Sequence, residues 1–192
     1  MKKFDIAFEE LMKWEGVESN DPVDPGGKTI YGVASKYWKD AFFEIYGLYK
    51  RGQINDALAA AKRFYRVNFW NEFYNDFKYT PLAYKLFDLG VNMGVRRIVK
   101  MLQRSVNHLY GWRIWNRIPK KLKVDGAYGM KTHEAVLKID QVSIYDELVK
   151  RAEKYYRSLN TFWKFGRGWL RRLMNRKQLV ENVKREIELL VE

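Results

Sequence analysis

Apolar residues in this chain recur at spacings of three and four, in short runs that glycine and proline keep interrupting. Phe4, Phe8 and Leu11 open the pattern, Leu82, Leu86 and Leu89 repeat it, and Leu148, Ala152, Tyr155 and Leu159 repeat it again. That period turns one face of an α-helix toward a core. The expected class is therefore all-α, with one small β-hairpin after the first helix, where the period fails.

The breakers place the helices. The first stripe closes at Gly16, with Glu15 at the next stripe position after Leu11. A second helix runs through Ala34, Trp38, Ala41, Phe42 and Ile45 to Gly47, and a third through Ile54, Leu58, Ala61, Tyr65 and Phe69 toward Phe77. Thr80-Pro81 reads as an N-cap and a first-turn proline, and Gly94 ends that helix. Ile98, Leu102, Val106 and Leu109 lead to Gly111, and a short helix spans Thr132–Ile139. Ser143 with Asp146 reads as a capping box. The last helix starts near Gly168, with Leu173, Val180, Val183, Ile187 and Leu190 inward.

Composition narrows the chemistry. At 192 residues the chain is one domain, or one with a small appendage. It has no cysteine and only two histidines, His108 and His133, so thiolate metal sites and a three-histidine metal site are impossible. Neither histidine has sequence neighbours that suggest a metal, and both are expected at the surface or an interface. No metal or cofactor is expected. The net charge of +13 asks for an anionic partner: nucleic acid, membrane or wall polymer. No nucleic-acid-binding motif is present, so a specific nucleic-acid partner is not expected. The start of the chain has lysines but no apolar signal segment behind them, and no run has the length of a transmembrane helix. Synthesis in a cytoplasm without a signal peptide is the expectation.

Against that basic background, residues 15–29 hold Glu15, Glu18, Asp21 and Asp24 with only Lys28 opposing them. Cleaving a glycoside needs one protonated carboxyl to feed the leaving oxygen and one ionised carboxylate to stabilise positive charge or activate water. Glu15 suits the first role, because partial burial at the end of an apolar stripe raises a carboxyl pKa. Asp24 suits the second, in a Pro/Gly loop with backbone N–H groups and Thr29 to keep it charged. Acids in such loops are also common turn formers, with Asn20-Asp21-Pro22 a candidate Asx-turn, and on composition both readings stand. EF-hand calcium spacing is absent.

The motifs go further. Glu15-Gly16, then Asn20-Asp21-Pro22, Asp24-Pro25-Gly26-Gly27-Lys28-Thr29 and Gly32, resemble the EGG and DPxDPGGxTxxG elements of the glycoside hydrolase family 108 muramidases. Val17 stands where that family commonly has a second glycine. Phe87-Asp88-Leu89-Gly90-Val91-Asn92-Met93-Gly94 resembles the family's FDxxVNxG segment. Leu102-Gln103 with Val124-Asp125-Gly126-Ala127-Tyr128-Gly129, and Phe165-Gly166-Arg167-Gly168-Trp169, resemble its small peptidoglycan-binding module. The order Glu15, Asp24, Thr29 is similar to the phage-type lysozyme motif, with four residues rather than five between the last two.

The resemblance implies a lysozyme-like fold, with a catalytic part over 1–94 and a helical wall-binding module over 95–192. It implies Glu15 as general acid, Asp24 as second carboxylate and Thr29 beside them. Asp21 is a candidate substrate contact. Asn92 is either a cleft residue for a sugar N-acetyl group or a polar residue bonding its own helix. Trp70, Phe69 and Phe73 read first as core or cleft wall, with Trp70 the best candidate for a sugar platform, and Tyr31 lines the cleft or packs in the hairpin. In the second module Gln103, Asp125, Gly126 and Tyr128 are the candidates, Gln103 more as a buried helix-to-turn bond. The basic stretch 111–123, with Trp112 and Trp115, and the run Lys164, Arg167, Arg171, Arg172, Arg176 and Lys177 are candidate contacts to an anionic wall.

The implied activity is an N-acetylmuramidase acting on bacterial peptidoglycan, as a monomeric phage endolysin released by a holin-type system or as a secretion-assisting muramidase. A lytic transglycosylase using Glu15 alone and a non-catalytic wall-binding protein are the rivals.

Overall fold

The computed structural model describes residues 3–20, 26–113 and 121–175, with the backbone alone described at 111–113. The chain falls into two compact units, residues 2–71 and residues from 72 onward. It is mainly helical, with eight α-helices and one small sheet among the described residues.

In the first unit, α1 (Lys3–Met12) buries Phe4, Ile6, Ala7, Phe8 and Leu11, the face its spacing requires. The Phe8 ring meets Tyr65 at 5.8 Å and the Phe4 ring meets Trp70 edge-on at 5.5 Å. Three two-residue strands follow: β1 (Glu18–Ser19), β2 (Thr29–Ile30) and β3 (Val33–Ala34). They pair antiparallel in chain order, Ser19 opposite Thr29 and Ile30 opposite Val33, so the expected hairpin gains a third strand.

Next come α2 (Lys39–Lys50) and α3 (Ile54–Phe69). Ala57, Ala60 and Ala61 form the buried stripe of α3 with Tyr65, and Phe42 and Ile45 that of α2. Small residues on one helix let the aromatic and β-branched residues of its neighbour approach closely. Ala34 belongs to β3, so α2 starts later than its apolar spacing predicts and then runs through Gly47. The third helix stops at Phe69, because Trp70 turns extended, at φ −90° and ψ 137°.

The second unit opens with a 3₁₀ turn (Glu72–Asp76), followed by α4 (Thr80–Met93), α5 (Val95–Arg113), α6 (Met130–Lys138), α7 (Gln141–Arg157) and α8 (Phe162–Leu173). In α4 every residue from Thr80 to Phe87 is buried. Gly94, at φ 87°, stops it by donating its N–H to the Gly90 carbonyl. Residues 72–94, which the motifs group with the catalytic part, lie in this unit. No helix among the described residues is long and apolar enough to cross a membrane.

Some ends differ from the sequence reading. α5 continues past Gly111. The cap of α7 is Asp140, whose carboxylate accepts from the Ser143 N–H at 2.9 Å, so the Ser143–Asp146 capping box is corrected to a cap three residues earlier. α8 starts at Phe162 and crosses Gly166 and Gly168 despite their poor helix propensity. Packing carries it across: Trp169 stacks on Tyr156 at 5.2 Å and Leu173 is buried. Val180, Val183, Ile187 and Leu190 lie outside the described residues.

Candidate functional site

Glu15 sits on the turn that leaves α1. The helix itself ends at Met12, and the N–H groups of Trp14 and Glu15 both reach back to the Leu11 carbonyl, at 2.9 and 3.2 Å. Glu15 is half-buried. Its carboxylate lies against the turn between β2 and β3: a Cβ placed on Gly32 would fall 2.7 Å from Glu15 Oε2 and 2.5 Å from the Tyr65 hydroxyl. Only a glycine leaves room for both groups.

That turn has an unusual backbone. Its two central residues, Tyr31 and Gly32, have φ of 47° and 76°. Positive φ at both positions marks the type I′ turn that suits a tight hairpin, where Asn-Gly is the favoured pair. A tyrosine in the left-handed region is strained, at a cost of about 1–3 kcal/mol. Three contacts hold it there. The Tyr65 hydroxyl donates to the Tyr31 carbonyl at 2.9 Å, the Tyr31 N–H donates to the Val17 carbonyl at 2.8 Å, and the Tyr31 ring packs edge-on to Tyr49 at 6.3 Å. Tyr31 is thus a buried hairpin residue, 7% exposed, and not an open cleft wall.

The other described acid of the loop is fixed as an ion. Lys28 holds Glu18 at 2.7 Å and the Tyr46 hydroxyl at 2.7 Å. The hydrogen bond from Lys28 keeps the Glu18 carboxyl below its ordinary range, and the same bond raises Lys28. A carboxyl held ionised this way is a poor proton donor, so Glu18 does not suit that role. Thr29 is half-buried on the central strand β2, opposite Ser19 and Ala34. Asp21 and Asp24 lie outside the described residues.

Trp70 is corrected from sugar platform to core: it is 7% exposed, with its ring against Phe4. Asn92 is exposed on α4, and its amide donates to the Asp88 carbonyl one turn back at 2.7 Å, the local bond of a polar residue near a helix end.

In the second unit the motif residues form one knot. Gln103, 1% exposed, donates to Asp125 Oδ1 at 2.9 Å and the Ala127 carbonyl at 3.1 Å, and accepts from the Gly126 N–H at 3.0 Å. Asp125 also accepts from the Ala127 N–H at 2.9 Å, and these bonds lower its pKa, the backbone one most. Gly126, at φ 81°, leaves no space for a Cβ, which would fall 2.7 Å from the Arg96 carbonyl. Gln103, Asp125 and Gly126 therefore brace a turn against α5.

Tyr128 and His133 pack with Phe73. The imidazole stacks on Phe73 at 4.6 Å, with Nε2 3.1 Å from Asp76 and Nδ1 3.4 Å from the Tyr128 hydroxyl. The surface or an interface was expected for both histidines: His133 is buried and partnered, and His108 is exposed. Among the described residues no group of acids and histidines could hold a metal ion.

The basic segments divide. Lys121, Lys123, Lys164, Arg167 and Arg171 are exposed. Arg172 departs from a solvated basic face, since its Nε donates to Asp88 at 2.7 Å. Trp115, Arg117, Lys120, Arg176 and Lys177 lie outside the described residues, and only the backbone is described at Trp112 and Arg113.

A sequence model described as Glycosyl hydrolase 108 matches residues 8–94, a span that holds Glu15, Gly32, Tyr65 and Asn92. Residues 8–94 belong to glycosyl hydrolase family 108. The match points to a glycoside hydrolase. Among solved structures it is similar to SagA of Brucella abortus, with a TM-score of 0.67 and 24% identity over 94% of each chain. That likeness shows a shared fold extending well past residue 94. No curated protein matches the sequence.

What the sequence missed in this family 108 site is the floor under the acid. Glu15 was visible; Tyr65 and the Tyr31-Gly32 turn were not. The one available signal was that Gly32 closes the motif, with no indication of what it made room for.

Proposed function

We propose that the chain is an N-acetylmuramidase, hydrolysing the β-1,4 bond from N-acetylmuramic acid to N-acetylglucosamine in peptidoglycan. The observation that carries this reading is the Glu15 carboxylate, half-buried and fitted over Gly32 beside the Tyr65 hydroxyl in a family 108 domain. A carboxyl placed against a turn that Tyr65 pins is suited to deliver a proton in a fixed direction.

In this reading Glu15 protonates the glycosidic oxygen as the C1–O bond breaks. Asp24 faces the developing positive charge on the sugar, and water completes the hydrolysis, returning a proton to the enzyme. Thr29 supports the ionised partner from β2, and Asp21 contacts the sugar. Residues 95–192 hold the wall. The setting we propose is lysis by a phage enzyme, made in the host cytoplasm, reaching the wall through a holin-type pore and acting as a monomer. The net charge of +13 supports contact with an anionic wall.

The test is wall digestion with product masses. Glu15→Gln is expected to abolish turbidity loss while leaving the circular dichroism spectrum unchanged, and wild-type products should carry a reducing end with one added water. Products with 1,6-anhydro ends would replace this reading with a lytic transglycosylase. Wall binding without any cleavage by the wild type would replace it with a binding protein.

A further inference from the structure

Helix α8 has two faces of different character. Inward, Gly166 and Leu173 are buried and Trp169 stacks on Tyr156 at 5.2 Å. Outward, Trp163, Arg167, Leu170 and Met174 follow one another at spacings of four, three and four, which makes them a single stripe along the helix. Trp163 is 84% exposed at one end of the stripe and Met174 47% exposed at the other, with Leu170 half-buried between them. Lys164 and Arg171 flank the stripe and are exposed, as is Arg167 within it. No acid stands anywhere from Phe162 to Asn175.

The fold does not account for this face. An indole so far exposed adds little burial to the second unit, and the outward side of a surface helix ordinarily mixes charges of both signs. A hydrated polyanion, such as a wall polymer or duplex nucleic acid, would meet the cations and leave Trp163, Leu170 and Met174 in water. An anionic lipid surface satisfies both halves at once. Its acyl boundary takes the apolar side chains and its phosphates take the cations, the pattern of a helix that lies in the plane of a membrane interface. Tryptophan suits that boundary, with an apolar ring and one polar N–H, and the long stems of Lys164 and Arg167 can carry their charges back up to the headgroups.

We propose that the outward face of α8 docks on an anionic phospholipid bilayer, lying along the surface with Trp163 and Met174 toward the acyl chains and Lys164 and Arg167 at the phosphates. Lipid docking of this kind does not depend on which bond the first unit cleaves.

The test is sedimentation of the full chain with vesicles at physiological ionic strength, one set of phosphatidylglycerol with phosphatidylethanolamine and one of phosphatidylcholine alone. Expected is capture by the anionic vesicles and not by phosphatidylcholine, with tryptophan emission moving to shorter wavelength on binding. Arg167→Glu removes one headgroup contact and adds a repulsion, so partitioning should fall by about tenfold or more. Trp163→Ser should weaken capture and remove most of the emission shift. Lys131→Glu, equally exposed but on α6, makes the same change of net charge away from α8 and should weaken capture far less. Iodide quenching without vesicles reads the face directly: Trp163→Ser should lose quenchable emission. The proposal is overturned if both vesicle types capture the chain alike, if Lys131→Glu weakens capture as much as Arg167→Glu, or if Trp163→Ser leaves capture unchanged. It is equally overturned if Trp163→Ser loses no quenchable emission, which would mean that another part of the chain covers the indole. Capture by wall sacculi or duplex DNA that depends on Trp163, with none by vesicles, would give the face to that polymer instead.

Discussion

The Glu15 carboxylate and Gly32 are in contact across the hairpin: the space a Cβ would take at residue 32 ends 2.7 Å from Glu15 Oε2. The two residues are far apart on the chain and come together because β2 and β3 turn back under the end of α1. The same point lies 2.5 Å from the Tyr65 hydroxyl, so acid, glycine and tyrosine share one small volume. The geometry of the acid is thus set by the shape of a backbone turn, and that turn by a side chain from α3.

Gly32→Ala should therefore damage catalysis more than folding. The left-handed backbone alone costs a non-glycine residue about 1–2 kcal/mol. The added methyl must also displace Glu15, Tyr65 or both, and a misplacement near 1 Å costs rate on the order of 10²-fold. Wall digestion should fall by about that factor, with a thermal midpoint lowered by only a few degrees. Full activity in this variant would show that Glu15 does not depend on the contact.

Tyr65→Phe isolates the support from the steric fit. It removes the bond to the Tyr31 carbonyl and leaves that buried oxygen without this donor, costing about 1–2 kcal/mol in stability. The strained turn loosens, so kcat should fall while binding of wall fragments changes little. A thermal melt with steady-state kinetics reads both. An unchanged melting point would mean the turn holds itself.

The helices were legible because burial and period coincide: α1 and α4 bury the residues their spacing selects. The acidic loop was legible as a break in that period. The Tyr31-Gly32 turn was not, because tyrosine is no turn former; its positive φ is held by a hydroxyl 34 residues along the chain. The end of α3 was misplaced for a similar reason. The apolar residues continue past Phe69, while the backbone turns extended at Trp70, whose ring packs on Phe4. The partners of His133 were not legible, because the sequence does not show that Asp76 and Tyr128 come to it. Asp125 and Gln103 were legible as a pair, and their role as a brace follows from how many bonds they share.

Asp125 makes the second unit acid-sensitive. Its folded pKa is depressed, first by the Ala127 N–H and then by Gln103. A depressed carboxylate adds stability above its unfolded pKa and loses it as pH falls through the folded value. The wild type should lose stability below the ordinary carboxylate range, about pH 4, and Asp125→Asn should start lower and show a shallower loss. Gln103→Ala should be costlier at neutral pH, about 3 kcal/mol, since Asp125, Ala127 and Gly126 all lose their bonds to the buried amide at once. Urea melts across pH 3–7 separate the two; parallel profiles for wild type and Asp125→Asn would remove Asp125 as the acid-sensitive group.

Lys85 gives the opposite end of the pH scale. It is buried on α4, donating to the Leu173 carbonyl at 3.2 Å and standing 3.8 Å from Asp88, which Arg172 also holds. Burial lowers its pKa, the nearby Asp88 opposes that and Arg172 adds to it. The unfolded chain then keeps the Lys85 proton to a higher pH than the folded one, so this lysine makes stability rise with pH from its lowered folded pKa up to its unfolded value. Tyr74, Tyr128 and Tyr156 act against it above about pH 10, because burial raises their pKa and the unfolded chain ionises first. The window for Lys85 is therefore the alkaline range below the tyrosines. Stability of the wild type relative to Lys85→Met should improve as pH rises through the alkaline range toward about 10, measured by denaturant melts. A flat difference over that range would mean that Lys85 keeps its proton in the folded protein, with Asp88 outweighing the cost of its burial.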